Sequence, residues 1–225
     1  MALSVNPAQG GATNSDVMRH AMVASQLRTN AVNDARVVEA MARLPREAFV
    51  PVEQRGLAYR DTLLPLAGGR RHNSPLATGR LLTQAQLRAD DHVLLIGAAG
   101  GYAAAVLSGL VASVVALEEE PTLVALARNA LAGHSNVTVV EGPLDAGWAA
   151  SGPYDLLLVD GAVEQLPEAV VAQLKPGARV TSGLVENGVT RLAAGRRTSG
   201  FALVPFADIE CAMLPGFARP ATFQF

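Results

Sequence analysis

Short, uninterrupted apolar runs alternate with helical patterns over the middle of the chain. Four such runs lie at 93–96, 114–117, 137–140 and 156–159, and a fifth strand is predicted over 178–184. Strands that are apolar throughout are typical of a parallel sheet buried on both faces, and the helices between them supply right-handed crossovers. The pattern predicts an α/β fold with a mainly parallel, twisted, Rossmann-like sheet and helices on both faces.

Helical periodicity also precedes the sheet. Ser15 is predicted to cap a first helix, and its apolar face carries Met18, Met22, Val23 and Leu27. Asn33 or Asp34 is predicted to cap a second helix that ends before Pro45, with an apolar face of Val37, Val38, Met41 and Leu44. A further helix is expected after Pro75. We therefore expect an N-terminal helical extension beside the sheet.

The remaining segments complete the predicted organisation. Residues 1–14 are rich in Gly, Asn and Ser and are expected to be a mobile terminus, while 49–73 predicts a long irregular connection. A helix is predicted from Pro167 through Leu174. Residues 189–194 and 201–209 predict an antiparallel C-terminal hairpin at the sheet edge. The expected division of this single domain is 15–90 for the helical, substrate-side segment and 91–225 for the cofactor-binding core.

Composition excludes several classes of function. The net charge of −2 and the pI of about 6.1 give no electrostatic basis for binding nucleic acid or an anionic membrane. No apolar run is long enough to predict a membrane span, and no basic-then-apolar leader opens the chain, so a cytoplasmic protein is expected. Cys211 is the only cysteine and the four histidines are scattered, so no metal site is predicted.

Candidate ligand-binding residues follow the predicted strands. Ligands of such sheets bind beyond the carboxyl ends of the strands, where small residues let the backbone approach and helix N-termini offer N–H groups. The glycine turn after the first strand contains Gly97, Ala98, Ala99 and Gly101. Glu118 ends the second strand, about 20 residues later, and is placed to accept hydrogen bonds from ribose hydroxyls. The turns after the third and fourth strands add Gly142, Pro143, Leu144 and Asp160.

Each of these features also has a purely structural interpretation. The glycine turn can simply be tight, Glu118 can be one of three solvated acids with Glu119 and Glu120, and Asp160 can cap a helix. Asp145 is expected at the surface. Tyr102 stands where a dinucleotide-binding turn has its third glycine, which makes an NAD-dependent oxidoreductase the least favoured alternative.

Several motifs together resemble the protein-L-isoaspartate O-methyltransferase family. The most distinctive are SQLR at 25–28, LPREAFVP at 44–51 and AYRD at 58–61. DHVLLIG at 91–97 and the Gly101-Tyr102 pair are more generic. EGPL at 141–144 and LPGF at 214–217 resemble a divergent bacterial branch of that family.

The resemblance implies a class I methyltransferase fold that uses S-adenosyl-L-methionine. The implied reaction methylates the α-carboxylate of isoaspartyl residues in damaged proteins or peptides, as a repair activity. Asn73 and Ser74 lie in the implied substrate-binding segment. Glycine-turn residues 97–99 and 101, Glu118, Glu119, residues 142–144 and Asp160 form the implied cofactor site. The resemblance does not predict an oligomeric state.

This chain departs from the family pattern at four positions. The family's Ser before the helix is Asn73, its strand-one acid is Leu95, its second turn glycine is Ala99, and the Asp that contacts adenine is Pro143. Three lost hydrogen bonds at about 0.5–1.5 kcal/mol each weaken cofactor binding by about 10- to 1000-fold unless other contacts compensate. The alternative hypothesis is a catalytically degenerate member that acts as a binding or interaction protein.

Overall fold

The apolar runs form a seven-stranded sheet in the computed structural model, which describes residues 13–219. The strands are β1 (Leu64–Pro65), β2 (Arg71–His72), β3 (His92–Ile96), β4 (Ser113–Glu118), β5 (Val137–Glu141), β6 (Tyr154–Val163), β7 (Leu174–Glu186), β8 (Val189–Arg196) and β9 (Val204–Ala207). The helices are α1 (Asn14–Ala21), α2 (Ala35–Arg43), α3 (Pro75–Gln84), α4 (Tyr102–Ser108), α5 (Pro121–Ala130) and α6 (Glu168–Val171). A π-helical segment, Met22–Leu27, continues α1.

The sheet has the order β5-β4-β3-β6-β7-β8-β9, while β1 and β2 form a separate two-stranded ribbon. Neighbours from β5 to β7 are parallel, whereas β7–β8 and β8–β9 pair antiparallel. The predicted parallel core and C-terminal hairpin are confirmed. This topology brings the carboxyl ends of β3, β4, β5 and β6 to one edge. The predicted ligand-binding residues follow β3 and β5 or end β4, whereas Asp160 lies within β6 and not in a turn after it.

Local details differ from the sequence predictions where short-range hydrogen bonds decide the boundary. Thr13, not Ser15, caps α1, because its side chain and that of Asp16 satisfy each other's backbone N–H in a capping box. Asp34 caps α2 as one of the two predicted residues. The helix after Pro167 spans only Glu168–Val171, since the chain enters β7 at Leu174. Residues 1–12 of the predicted mobile terminus lie outside the described residues, and Asn14 is already helical.

The connection at 49–73 is less irregular than predicted. It contains short 3₁₀ turns at Val52–Leu57 and Ala67–Gly69 and the β1–β2 ribbon. Leu64 faces His72 in that ribbon, which turns the chain back toward the sheet edge just before α3. The ribbon therefore places residues 70–73 beside the carboxyl ends of the strands.

A buried arginine joins the N-terminal segment to the first helix of the sheet. The Arg46 side chain is fully buried, donates from Nε to the Ala58 carbonyl at 2.8 Å and donates from Nη2 to the Asn73 carbonyl. Its guanidinium lies 4.6 Å from the ring centroid of Tyr102, the first residue of α4. Such a cation–π contact is stronger away from water. Arg46 therefore holds the connection against both the ribbon and the sheet.

The same junction requires a glycine. A Cβ atom on Gly100 would lie only 1.9 Å from the carbonyl oxygen of Phe49. The Phe49 ring packs edge-on against Tyr102 with its centroid 5.7 Å away. Gly100 therefore allows the N-terminal segment to lie directly on the glycine turn.

None of the helices within residues 13–219 has both the length and the apolar character needed to cross a membrane. Over the same residues, no cluster of three or more His, Cys, Asp or Glu side chains is arranged to hold a metal ion.

We predict that Gly100→Ala lowers the free energy of unfolding by about 1–3 kcal/mol, because the added methyl group overlaps a backbone carbonyl that cannot rotate away. Urea denaturation measures the change. Gly133→Ala is the control, since nothing lies within 4 Å of a Cβ at that position. Equal stability of the two variants would contradict the close packing of Phe49 on the turn.

A second prediction concerns His72, which is buried with neither ring nitrogen hydrogen-bonded. Burial, with the nearby positive charges of Arg46 and Arg70, holds the pKa of His72 well below its ordinary value of 6.5. As the pH falls below about 6.5, His72 therefore binds a proton in the unfolded chain but stays neutral in the folded chain. The free energy of unfolding is therefore unaffected by His72 above that pH and decreases progressively below it.

Replacing His72 with Leu removes this pH dependence. Between about pH 7.5 and pH 5, we expect the unfolding free energy of the wild type to fall by about 2 kcal/mol relative to His72→Leu. Urea denaturation at both pH values measures the difference. His20→Gln is the control, because His20 is exposed and should follow the wild type. Parallel pH profiles for wild type and His72→Leu would refute the prediction.

Candidate cofactor and substrate site

Glu118 lies at the centre of the carboxyl edge of the sheet. It ends β4, is fully buried, and its carboxylate accepts backbone N–H groups from Ala99 at 2.7 Å, Glu119 at 3.0 Å and Glu120 at 3.2 Å. Because it is buried, Glu118 is not one of a row of solvated acids. Its carboxylate ties the glycine turn after β3 to the turn after β4.

Arg70 occupies the remaining side of this carboxylate. Its Nε donates to Oε1 at 3.2 Å and its Nη2 donates to Oε2 at 3.0 Å, which makes a bidentate ion pair between two buried side chains. With the three backbone donors, the Glu118 carboxylate accepts five hydrogen bonds. An ionised carboxylate offers about four lone-pair sites. No acceptor capacity is left for the ribose hydroxyls that the sequence predicted there.

The glycine turn is tight, and the N–H groups of its first three residues are already hydrogen-bonded. Gly97, Ala99 and Gly101 have φ of 78°, 48° and 96°. At Ala99 this left-handed backbone favours glycine, so the alanine is held there at some conformational cost. The N–H groups of Gly97 and Ala98 both donate to the Leu117 carbonyl at 3.0 Å, and that of Ala99 donates to Glu118. These three N–H groups are therefore already hydrogen-bonded to β4 and Glu118.

Asn73 and Asp160, which are 87 residues apart, meet at the end of β6. Asn73 Nδ2 donates to Asp160 Oδ1 at 2.8 Å, and the Thr78 hydroxyl donates to the same oxygen at 3.1 Å. Burial raises the pKa of Asp160 above its ordinary range, against the effect of these hydrogen bonds. Asp160 is therefore not a helix cap. Thr78 lies one helical turn beyond Ser74 and was not predicted as a site residue. No motif or periodicity in the sequence distinguishes it from other polar residues of a helix.

Ser74, which lies in the implied substrate-binding segment, has a structural role as a helix cap. Its hydroxyl accepts the Ala77 N–H at 3.2 Å and caps α3, with Pro75 as the first helical residue. Asn73 is the member of the pair whose side chain lies in the site.

The C-terminal segment Cys211–Phe217, called here the C-terminal strap, packs on the same edge. The Asn73 Oδ1 accepts the Ala212 N–H at 2.8 Å. Ala162 donates to the Ala212 carbonyl at 2.7 Å, and Leu214 donates to the Ala162 carbonyl at 2.9 Å. The strap was recognised only as a family-branch motif, and the sequence did not place it in the site.

Leu214 fills the space directly over two of the turns. A Cβ on Gly97 would lie 3.0 Å from Leu214 Cδ1, and a Cβ on Gly161 would lie 2.5 Å from Leu214 Cγ. Leu214 and Phe217 are both buried and pack with Leu144 in one apolar cluster. The space that small residues leave open for a ligand is therefore taken by a leucine of the same chain.

The other predicted cofactor residues lie at the edge of this arrangement. Gly142 donates its N–H to the Glu118 carbonyl at 3.1 Å, and Leu144 is a fully buried core residue. Pro143 is exposed, and Glu119 reaches the site only through its backbone amide. Asp145 is half-buried and lies close to Gly216 of the strap, so it is not a free surface residue.

An open groove of about 670 Å³ lies beside the strap rather than under it. Arg71, Thr190, Asp208, Glu210 and Met213 are among its lining residues, whereas Gly97 and Glu118 are not. S-adenosylmethionine therefore fits the backbone frame of the site, with a glutamate and a glycine turn at the correct spacing, but it does not fit this conformation. Arg70 saturates the ribose acceptor, and Leu214 fills the adjoining space.

Comparison with known proteins identifies the family. The family model described as Protein-L-isoaspartate(D-aspartate) O-methyltransferase (PCMT) matches residues 18–201. "Protein-L-isoaspartate O-methyltransferase 1" of Rhodopseudomonas palustris (strain HaA2) is 35% identical over 211 residues, covering 92% of this chain and 84% of that relative.

Two solved structures share the fold. One protein-L-isoaspartate O-methyltransferase has a TM-score of 0.74 at 23% identity, over 88% of this chain and 66% of that chain. A Plasmodium falciparum structure, described as a beta-aspartate methyltransferase (PCMT) in complex with S-adenosyl-L-homocysteine, has a TM-score of 0.73 at 16% identity, over 90% and 99%. The predicted methyltransferase fold is thereby confirmed. The extent of the family match and of the sequence identity shows that this chain belongs to the protein-L-isoaspartate (D-aspartate) O-methyltransferase family.

Proposed function

We propose that this protein is an S-adenosylmethionine-dependent O-methyltransferase whose methyl acceptor is the free α-carboxylate of an isoaspartyl residue in a protein or peptide. The observation that carries the proposal is the family match over residues 18–201, which includes the glycine turn, Glu118, Asn73 and Asp160. These residues lie together at the carboxyl edge of the sheet.

The proposed reaction requires the protein mainly to position the methyl donor and the acceptor carboxylate. A carboxylate is already ionised at neutral pH, and S-adenosylmethionine, when bound, supplies a methyl group on a good leaving group. Neither a general base nor a metal ion is required, so rate enhancement rests on orienting the two reactants. The Asn73–Asp160–Thr78 hydrogen bonds fix polar groups where β6 meets α3, beside the expected acceptor.

One observation favours a second candidate, a family member that binds a partner without using the cofactor. Five hydrogen bonds already saturate Glu118, and Leu214 covers Gly97. If this conformation persists, the site cannot admit a nucleoside. The two candidates differ in whether the intact protein transfers a methyl group.

We predict base-labile methyl incorporation into an isoaspartyl peptide from labelled S-adenosylmethionine. The same peptide with normal aspartate is the control and should remain unlabelled, because its backbone presents no free α-carboxylate at that residue. Absence of labelling at millimolar cofactor with folded protein would exclude the enzymatic candidate and favour the second one.

We also predict that, in an Arg70→Gln background that removes the ion pair to Glu118, Glu118→Gln weakens binding of S-adenosylhomocysteine by about 1–3 kcal/mol, as expected when a charge-assisted hydrogen bond is lost. Calorimetric titration measures the dissociation constant. Glu39→Gln is the control, since Glu39 is an exposed residue of α2 that pairs only with Arg43. An unchanged dissociation constant for a folded Glu118→Gln variant would refute the ribose-binding role of Glu118.

A further inference from the structure

We propose that Arg70 and the C-terminal strap are an intramolecular occupant of the cofactor space and compete directly with S-adenosylmethionine for it. The inference rests on the proposed function, because it assumes that the covered site is the cofactor site. The cofactor then binds only to the fraction of molecules in which both elements have moved away.

Arg70 takes the place of the ribose. A ribose offers two neighbouring hydroxyl groups to an acidic side chain, and the Arg70 guanidinium offers two N–H groups to the two oxygens of Glu118 at 3.2 and 3.0 Å. The β1–β2 ribbon presents Arg70 from outside the sheet. A movement of this ribbon can therefore release Glu118 without disturbing β4.

Leu214 covers the part of the site next to the glycine turn. Its side chain lies on Gly97 and Gly161, the two glycines that follow Ile96 and Asp160. Leu214 occupies the space that a side chain at position 161 would need, since a Cβ on Gly161 would lie 2.5 Å from Leu214 Cγ. Gly97, which the sequence predicted as ligand-binding, and Gly161 thus both contact an apolar side chain of the strap.

The strap packs on the carboxyl edge of the sheet but is not one of its strands. It pairs with β6 through a single bridge, Ala162 to Met213, and two side-chain oxygens, of Asn73 and Thr190, accept its Ala212 and Cys211 N–H groups. Segments held by few backbone hydrogen bonds open at lower free energy than the strands beneath them. These observations make it a covering element that can leave while the fold remains.

Removal of the occupant is expected to tighten cofactor binding. The apparent dissociation constant equals the intrinsic one divided by the open fraction, so weakening the closed form increases affinity. We expect Arg70→Gln and Leu214→Ala each to bind S-adenosylhomocysteine about 5-fold or more tighter than wild type, and the double variant about 25-fold or more tighter. Calorimetric titration of the full-length proteins measures this.

Matched controls separate competition from general loosening. Arg71→Gln changes the neighbouring, exposed arginine, and Met213→Ala changes the exposed residue next to Leu214. Both should bind the ligand within about 2-fold of wild type if Arg70 and Leu214 act specifically. Thermal unfolding establishes that each variant is folded.

Cys211 gives a second readout on the unmodified wild-type protein. It is the only cysteine in the sequence, it belongs to the strap, and burial raises the pKa of its thiol. We expect saturating S-adenosylhomocysteine to increase the rate at which a maleimide labels Cys211 by about 10-fold, because the ligand selects the form with the strap displaced. NADH at the same concentration is the control and should leave the rate unchanged.

The proposal is overturned if wild type binds the ligand as tightly as the folded double variant, or if neither protein binds it. It is also overturned if ligand binding leaves Cys211 as protected as before. Failure of the proposed function has a different signature. In that case the double variant binds S-adenosylhomocysteine tightly but transfers no methyl group to the isoaspartyl peptide.

Discussion

The buried carboxylate of Glu118 is the contact around which the carboxyl edge is arranged. The backbone N–H groups that donate to it fix the turns after β3 and β4, and Arg70 brings the β1–β2 ribbon onto the same two oxygens. A charge taken out of water requires close partners, so this carboxylate cannot be left with fewer donors in the closed protein. The position of the ribbon, and with it Asn73, follows from that requirement.

The N-terminal segment depends on a related constraint at Arg46. This guanidinium is buried and contacts the carbonyl oxygens of Ala58 and Asn73 and the ring of Tyr102, while its Nη1 has no hydrogen-bond partner among the described residues. Burial accordingly lowers the pKa of Arg46. Because Arg46 contacts the connection, the ribbon and α4 together, the substrate-side segment and the sheet form one packed unit at the site. The LPREAFVP motif thus has a structural role at the junction.

Family membership and local geometry bear on different questions about this protein. Membership rests on similarity over most of the chain and supports a carboxyl methyltransferase. The geometry concerns access, because the site is closed by residues of the chain itself. A covered site is compatible with catalysis when the cover opens, and it is compatible with a binding role when the cover persists. The affinity of the intact protein for the cofactor decides between them.

The parallel core and the C-terminal hairpin could be predicted from the sequence, because apolar runs and turn residues act locally. The positions of Glu118, the glycine turn and Asp160 followed from the same pattern, since strand ends meet at one edge, whereas Asn73 was implied by the family resemblance. The partners of these residues could not be predicted. Arg70 appeared to be one more arginine in an irregular connection, and Thr78 one more polar residue in a helix.

Tertiary structure alone decided that the site is closed. Arg70 and Glu118 are 48 residues apart, and Asn73 and Ala212 are 139 apart, so neither contact leaves a trace in local periodicity. Leu214 was visible only as part of a short C-terminal motif, although its side chain covers Gly97. The sequence by itself determined that Glu118, the glycine turn and Asp160 lie at the carboxyl edge. Which groups fill the space between them depended on long-range packing and on the need to pair a buried charge.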